Sequence, residues 1–179
     1  MFDEILNKKY KKVLFFALQK MLGKLTGKVA LITGASSGIG AATAILFSKL
    51  GANVSLTGRN LENLQSTAQA CVQVEEHQKK PFLIQADLNS EAETATLIDK
   101  TIKEFGRLDI LVNNAGVLEM GNIENTTLEQ YDRVMNVNVR SIYQLTMLAT
   151  PELIKTKGNV VNVSSVNGIR SVSHYTKMQ

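Results

Sequence analysis

The chain has 179 residues, of which 44% are hydrophobic, and it carries a net charge of +4. This length predicts one domain with a substantial core and argues against two. The single cysteine, Cys71, excludes an internal disulfide and favours an intracellular, reducing compartment, for which we predict the cytoplasm. The sequence has no Cys and His spacing typical of metal sites, so no metal is expected.

The positive charge is concentrated in the first part of the chain. Residues 1–28 contain seven lysines against Asp3 and Glu4, a balance of +5, so the remaining residues carry −1. A nearly neutral body argues against nucleic acid as a partner, because duplex binding needs a clustered basic face.

Residues 1–26 are predicted to form a basic amphipathic leader helix, because apolar residues recur there at helical spacing with lysines between them. The apolar run at 13–18 is too short to cross a bilayer, which argues against a transmembrane segment. Three roles remain open: docking on the body as a simple appendage, targeting, and attachment to an anionic membrane surface. Docking is preferred over membrane binding.

From Lys28 onward, short runs rich in Val and Ile alternate with longer helical patterns, which is typical of a parallel sheet covered on both faces. Strands are predicted at 29–33, 53–57, 81–86, 108–113 and 159–164, and helices at 38–50, 60–76, 89–105 and 126–150. The last helix is predicted to begin with a capping box of Thr126 and Glu129 and to end at Pro151. The fold class is therefore α/β, a Rossmann-type doubly wound parallel sheet of about five strands within residues 27–179.

The segment T-G-A-S-S-G-I-G at 33–40 joins the first strand to the first helix. Gly34 allows a tight turn, Gly38 lets the backbone approach a pyrophosphate, and Gly40 lets the helix pack closely on its strand. The start of the helix adds free N–H groups for an anion. The segment predicts the phosphate-binding turn of a dinucleotide site.

Residues suited to a ligand site also follow the other strands, and ligands in such sheets bind beyond the carboxyl ends of the strands. These residues are Arg59, Asp87, the run at 113–116, Ser164 and Ser165. Arg59 follows a strand end where NAD-selective sites usually hold a carboxylate for the ribose 2′-hydroxyl. A guanidinium suits a 2′-phosphate instead, so NADP(H) is favoured over NAD(H).

On these residues the sequence resembles the short-chain dehydrogenase/reductase family from about Leu25 to Ser171. The matching segments are T-G-A-S-S-G-I-G at 33–40, A-D-L-N at 86–89, L-D-I-L-V-N-N-A-G at 108–116, M-N-V-N-V-R-S at 135–141 and N-V-V-N-V-S-S at 159–165. The resemblance implies an NAD(P)-dependent oxidoreductase that interconverts a small carbonyl compound and an alcohol by hydride transfer. It also implies a sheet that is incomplete on its C-terminal side, and a homo-oligomer that assembles through the helix at about 127–150.

The resemblance further assigns roles to individual residues. The residues implied to line the cofactor pyrophosphate and its ribose are Gly34, Ser36, Gly38, Ile39 and Gly40. Asp87 and Leu88 are implied to meet the adenine ring, and Asn113 and Gly116 to support the cofactor and the central strands. Asn138 and Ser165 correspond to the catalytic asparagine and serine of the family.

The catalytic tyrosine is the point where the sequence departs from the family. Members of the family have a lysine four residues after that tyrosine, one helical turn along, which favours the phenolate. Here Lys177 follows Tyr175 after two residues, and Gln179 stands where the lysine is required. In one interpretation Tyr175 acts within a shortened loop. In the preferred one, the block that carries the Tyr-x-x-x-Lys pair is absent.

The absence of that pair leaves a second function open, a catalytically silent dinucleotide-binding fragment. His174 could be proposed as a substitute acid, but a histidine near a chain end is more simply interpreted as solvated. A third and weaker hypothesis is a peripheral membrane protein held by the leader helix.

Overall fold

The computed structural model describes residues 25–74, 80–121 and 123–165. The strands are β1 (Val29–Thr33), β2 (Asn53–Gly58), β3 (Phe82–Gln85), β4 (Ile110–Asn113) and β5 (Asn159–Asn162). The helices are α1 (Gly38–Lys49), α2 (Leu61–Val74), α3 (Glu91–Phe105), α4 (Leu128–Met135) and α5 (Ser141–Thr156), and a π-helical turn, Asn136–Arg140, joins α4 to α5. The predicted leader lies outside the described residues, except for its last two.

The five strands form one parallel sheet in the order β3-β2-β1-β4-β5. Strand β1 is central, and all five of its residues, Val-Ala-Leu-Ile-Thr, are buried. An uninterrupted apolar strand suits a sheet with helices on both faces. The strand order reverses between β1 and β4, where the chain crosses from one side of the sheet to the other. The predicted α/β class and the five parallel strands are confirmed.

Each face of the sheet packs on its own pair of helices. Leu31 of β1 joins the cluster on the side of α3 and α5, whereas its neighbour Ile32 joins the cluster on the side of α1 and α2. This division follows from the alternation of side chains along a strand. Cys71 is buried in the second cluster, and burial raises the pKa of its thiol, so this side chain serves as a small apolar group.

The predicted start of the fourth helix was wrong by one residue. The capping box is formed by Thr127 and Gln130: the Thr127 hydroxyl accepts from the Gln130 N–H at 3.3 Å, and the Gln130 side chain accepts from the Thr127 N–H at 3.0 Å. The prediction chose Thr126 and Glu129 because two overlapping Thr-x-x-acid/amide patterns occur here.

The predicted end of this helix at Pro151 was also wrong, because α5 continues through Pro151 to Thr156. Pro151 is exposed, so the carbonyl group that loses its N–H partner can face water. The following turn is held by the core: Leu153 is buried, and the Thr156 hydroxyl donates to the Leu108 carbonyl oxygen at 2.8 Å.

A buried carboxylate joins β1 to the segment before β4 at the amino-terminal edge of the sheet. The side chain of Asp109, only 2% exposed, accepts from Lys28 Nζ at 2.9 Å, from the Arg107 guanidinium at 2.7 and 2.8 Å and from the Val29 N–H at 3.0 Å. Burial alone would raise the pKa of Asp109, but the bonds from Arg107, Lys28 and Val29 together hold it below its ordinary value. The ionised carboxylate is therefore part of the folded structure.

We expect Asp109→Asn to lower the free energy of unfolding at pH 7 by about 2 kcal/mol, because the change removes the charge-assisted hydrogen bonds from Lys28 and Arg107, whose side chains remain half-exposed to water. A folded-state pKa below the unfolded value of about 3.9 means that this stabilisation is complete above that pH and is lost as the pH falls through the folded-state pKa. Urea denaturation at pH 7 and at about pH 3.5 should therefore show a smaller difference between mutant and wild type at the lower pH.

The matched control is Arg140→Met, which removes an ion pair with Glu91 in which both side chains are 64% exposed, and it should cost less than about 0.5 kcal/mol. A difference between Asp109→Asn and wild type that did not change with pH would contradict the assigned role of the Asp109 charge.

Candidate functional site

A cleft of about 350 Å³ opens at the carboxyl ends of the strands, where the strand order reverses. Its walls come from the segments that follow β1, β2, β3 and β4, and from the π-helical turn. The predicted site residues that line it are Gly34, Ser36, Gly38, Ile39, Arg59, Asp87, Leu88 and Gly116. Ser37, Asn114 and Ala115 also line the cleft, and they belong to the segments predicted at 33–40 and 113–116. The sequence interpretation missed the remaining lining residues, which are Thr57, Gly58, Ala86, Val117 and Val137.

The glycine-rich turn forms one wall of the cleft. Gly34 has a φ of +65°, and a Cβ there would lie 2.9 Å from the Cα of Ala115, so both conformation and space require glycine. A Cβ at Gly40 would overlap the Gly34 carbonyl oxygen, which explains how α1 begins so close to the turn. Among the described residues, the Ser37 side chain makes no capping bond, and Gly38 and Ile39 line the cleft, so the first turn of α1 borders the cleft without a side-chain cap.

Asn114 and Thr33 hold the floor of the cleft. The Asn114 side-chain amide donates to the Thr33 and Gly34 carbonyl oxygens at 2.9 and 3.3 Å. The Thr33 hydroxyl accepts from the Asn114 and Ala115 N–H groups at 2.9 and 3.0 Å, and donates to the Val112 carbonyl oxygen at 3.2 Å. These bonds continue the pairing of β1 and β4 past the point where the two strands separate. The second asparagine of the N-N-A-G segment was the available signal for this role.

Asn113 contacts the sheet and α5 and does not line the cleft. Its side-chain nitrogen donates to Asn162 Oδ1 at 2.9 Å and to the Thr146 hydroxyl at 3.3 Å. The residue is 1% exposed, and its Oδ1 has no hydrogen-bond partner among the described residues. Asn113 therefore links β4, β5 and α5, and these contacts are suited to supporting the central strands.

Asn138 lies in the π-helical turn, half-buried beside the cleft. Its side-chain nitrogen donates to the Val117 carbonyl oxygen and its Oδ1 accepts from the Val117 N–H, both at 2.9 Å. The amide thus ties the helix to the loop after β4, which lines the cleft at Gly116 and Val117. π-helical turns are often found at functional sites, because the additional residue redirects side chains out of the regular helical pattern.

Two of the three predicted catalytic residues can be located. Asn138 lies in the π-helical turn, as described above. Ser165 is half-buried just beyond β5, at the carboxyl end of the strands where the cleft opens, but it is not among the residues that line the cleft. Tyr175 lies outside the described residues, as does His174.

The charged groups at the mouth of the cleft are Arg59 and Asp87. The Asp87 carboxylate accepts from the Asn89 N–H at 3.0 Å, and the Asp87 N–H donates to the Glu93 carboxylate at 2.9 Å, so both acids are engaged in the turn before α3. Arg59 is exposed, and it is the only cationic residue lining the described part of the cleft.

Within residues 25–74, 80–121 and 123–165, no three or more His, Cys, Asp or Glu side chains come together as a metal site would require. In the same part of the chain no helix combines the length and the apolar character needed to cross a bilayer.

A glycine-rich βα turn at the point where a parallel sheet reverses its strand order defines the class of α/β nucleotide-binding proteins. The family can be stated more closely. A family model described as short chain dehydrogenase matches residues 28–177. The chain belongs to this family of oxidoreductases.

Individual relatives support this assignment. The 3-oxoacyl-[acyl-carrier-protein] reductase of Thermotoga maritima is 37% identical over 147 residues, which cover 82% of this chain and 58% of the reductase. A short chain dehydrogenase from Burkholderia cenocepacia, solved in complex with NADP, superimposes with a TM-score of 0.79 at 33% identity and covers 86% of this chain and 61% of that one. A metagenomic short-chain oxidoreductase, also in complex with NADP, has a TM-score of 0.78 at 34% identity, covering 85% and 68%. The chain spans 44–61% of the length of the curated relatives that it matches.

Proposed function

We propose that this chain binds a nicotinamide dinucleotide in the cleft, with NADP(H) preferred over NAD(H), and that it interconverts a small carbonyl compound and an alcohol by hydride transfer. The observation that carries the proposal is the convergence, in one cleft, of the glycine-rich turn, Arg59, the Asp87–Leu88 pair and Gly116. The two solved relatives in complex with NADP add support.

The pyrophosphate would lie against the glycine-rich turn. The N–H groups at the start of α1 and the positive end of its dipole favour an anion there. Gly38 lines the cleft, and apart from its chain neighbours and the backbone of its own helix no described atom lies within 4 Å of the position that a Cβ would occupy, so phosphate oxygens can approach the backbone. Asp87 and Leu88 would meet the adenine ring at the neighbouring end of the cleft.

The preference for NADP(H) is supported by charge and by space at the end of β2. The residue that follows Thr57 is Gly58, and a Cβ there would come within 3.2 Å of the Ser36 hydroxyl, so an acidic side chain at this position would press on the turn. The guanidinium of Arg59 follows directly, and its planar group can bind a 2′-phosphate through two N–H donors.

The reacting end of the site would be formed by Ser165, Asn138 and Tyr175. The dinucleotide supplies or accepts the hydride, and the alkoxide formed by reduction needs a proton. Ser165 would hold the carbonyl oxygen and Tyr175 would supply the proton. Asn138 would keep the loop at 116–117 in place through its two bonds to Val117.

The second candidate function is a dinucleotide-binding protein without turnover. It is favoured by one observation, Gln179 in place of the lysine that should lie four residues after Tyr175. The contacts of Asn114 and Asn138 that shape the described cleft would serve this alternative equally well.

Association and location also remain proposals. The helix α5 and the turn before it expose Val139, Tyr143, Met147 and Ile154, which supports a homo-oligomer formed through this helix. The cytoplasmic location, the boundary between residues 1–26 and 27–179, and the weaker membrane role of the leader stay predictions from the sequence.

Dinucleotide binding can be tested at Gly38. We expect Gly38→Ala to weaken binding of NADPH, measured by fluorescence titration, at least about tenfold, because the new methyl group would stand where phosphate oxygens approach. The matched control is Gly106→Ala at the end of α3, where φ is also positive and the Cβ space is also empty. Both changes should cost about 1 kcal/mol of backbone strain, but only the first should affect NADPH. Equal affinities in the two variants would count against the proposed site.

Cofactor preference can be tested at Arg59. We expect Arg59→Asp to reverse the preference, weakening NADPH at least about tenfold by loss of the charged hydrogen bonds to the 2′-phosphate, while NADH is retained. Lys100→Asp, at an exposed position of α3, makes the same change of net charge away from the cleft and should leave both affinities unchanged. A ratio of NADH to NADPH affinity that stayed constant in Arg59→Asp would defeat the assignment.

Turnover separates the two candidate functions. If the chain is a reductase, the absorbance of NADPH falls in the presence of suitable ketones, and Tyr175→Phe abolishes this loss because the proton donor is removed. Binding of NADPH without turnover across a panel of ketones supports the silent alternative. Turnover that survives Tyr175→Phe would show that Tyr175 is not the acid.

A further inference from the structure

The turn from β2 to α2, which carries Arg59, is held at three successive carbonyl groups. The Thr57 carbonyl oxygen accepts from the Ala35 N–H at 3.0 Å, and the Gly58 carbonyl oxygen accepts from the Ala86 N–H at 3.1 Å. The third bond comes from a side chain: Gln85 Nε2 donates to the Arg59 carbonyl oxygen at 2.9 Å. The backbone of Arg59 is thereby attached to the strand beside it.

The position of Gln85 in the sheet explains why a side chain makes the third bond. Gln85 is the last residue of β3 and pairs in register with Gly58, the last residue of β2. Arg59 lies one residue past the end of this ladder, so its carbonyl group has left the regular pattern of strand pairing. The long amide side chain of Gln85 reaches forward by one residue and supplies the donor.

The other side of Arg59 is fixed as well. Asn60 caps the start of α2. Its side-chain oxygen accepts from the Asn63 N–H at 2.9 Å, and its carbonyl oxygen accepts from the Leu64 N–H at 3.1 Å. The peptide unit between residues 59 and 60 lies after the end of β2 and before the start of α2, and neither element fixes it. The hydrogen bond from the Gln85 side chain therefore holds this peptide unit in place. Rotation about the N–Cα bond of Arg59 moves its carbonyl group and its Cβ together, so the hydrogen bond that fixes the carbonyl oxygen also limits the direction in which the side chain leaves the backbone.

We propose that Gln85 is a positioning residue for Arg59 and that it thereby contributes to the preference for a dinucleotide with a 2′-phosphate. This inference rests on the proposed function of the cleft. A long arginine side chain loses conformational freedom when it binds a phosphate, and a fixed starting point on the backbone reduces that loss. Gln85 itself is exposed and outside the lining of the cleft, so its effect on the phosphate is transmitted through Arg59.

The test compares the dissociation constants of NADPH and NADH in four variants of the full chain. Gln85→Met keeps the length of the side chain and removes the donor. We expect Gln85→Met to lower the ratio of the NADH dissociation constant to the NADPH dissociation constant about fivefold, which is the effect expected for one neutral hydrogen bond. The dissociation constant of NADH itself should change little. Gln69→Met makes the same substitution at an exposed position of α2 and should leave the ratio unchanged.

Arg59→Met and the double variant with Gln85→Met complete a double-mutant cycle. If Gln85 acts through Arg59, the Gln85 substitution should change the ratio less than about twofold once Arg59 is absent, because the two effects are not additive. A merely structural role would weaken both dinucleotides together, which would overturn the inference, as would an equal effect of Gln85→Met with and without Arg59.

The wild-type chain distinguishes the failure of this inference from the failure of the proposed function. A wild type that prefers NADPH, together with an unchanged ratio in Gln85→Met, overturns the role of Gln85 alone. A wild type that binds neither dinucleotide, or that binds both equally, overturns the proposed cofactor preference and the role of Gln85 with it.

Discussion

The candidate site depends on how β1 and β4 separate at their carboxyl ends. The last paired residues are Ile32 of β1 and Val112 of β4, and beyond them the two segments of the chain diverge toward opposite sides of the sheet. Diverging strands leave buried backbone groups without ladder partners, which is costly unless side chains replace them. Thr33 and Asn114 supply the replacements. The Thr33 carbonyl group and the N–H groups of Asn114 and Ala115 are therefore satisfied where the crevice opens.

The same two strands, β1 and β4, are joined at their other end by Asp109. The stability of the sheet and the shape of the site therefore both depend on how these two strands are held together. Asp109 binds the Val29 N–H at the start of β1, whereas Asn114 binds the Thr33 carbonyl oxygen at its end. Fixing β1 at both ends places the glycine-rich turn at a defined height above the sheet. This matters for an anion site made of backbone N–H groups, because the peptide units themselves must be in position before the ligand arrives.

Much of this fold could be predicted from the sequence, because the strands are short apolar runs bounded by glycine, asparagine and proline, and β1 was predicted with its observed bounds. The errors lay in the long helix. Thr126 and Thr127 offer the same capping pattern, and only the three-dimensional structure distinguishes them; Pro151 is tolerated because it is exposed on a helix whose next turn is anchored in the core. The π-helical turn has no period or composition that would reveal it.

The site was predicted less completely than the fold, and the reason is the separation in sequence of the residues that build it. The glycines and Arg59 are recognisable because their own chemistry suits a phosphate ligand. Thr33 and Asn114 are 81 residues apart, and Gln85 and Arg59 are 26 apart, so their contacts exist only once the strands are paired. Their function is to hold peptide groups in place. The motifs that identify the family thus include Thr33 and Asn114, whose side chains hold the backbone beside the cleft in place.

The difference between residues suited to a ligand and residues that hold the backbone in place affects how binding and turnover would relate to each other in this chain. Asn138 is predicted from the resemblance to be a catalytic residue, but its side-chain amide both accepts from the Val117 N–H and donates to the Val117 carbonyl oxygen, and so holds the wall of the cleft in place. A protein that only bound a dinucleotide would need this contact as much as an enzyme would. The segment M-N-V-N-V-R-S is therefore compatible with either function, and the cleft can keep its shape whether or not Tyr175 transfers a proton. Under the proposed function, binding and turnover would be separable properties of this chain, because different residues are proposed to carry them.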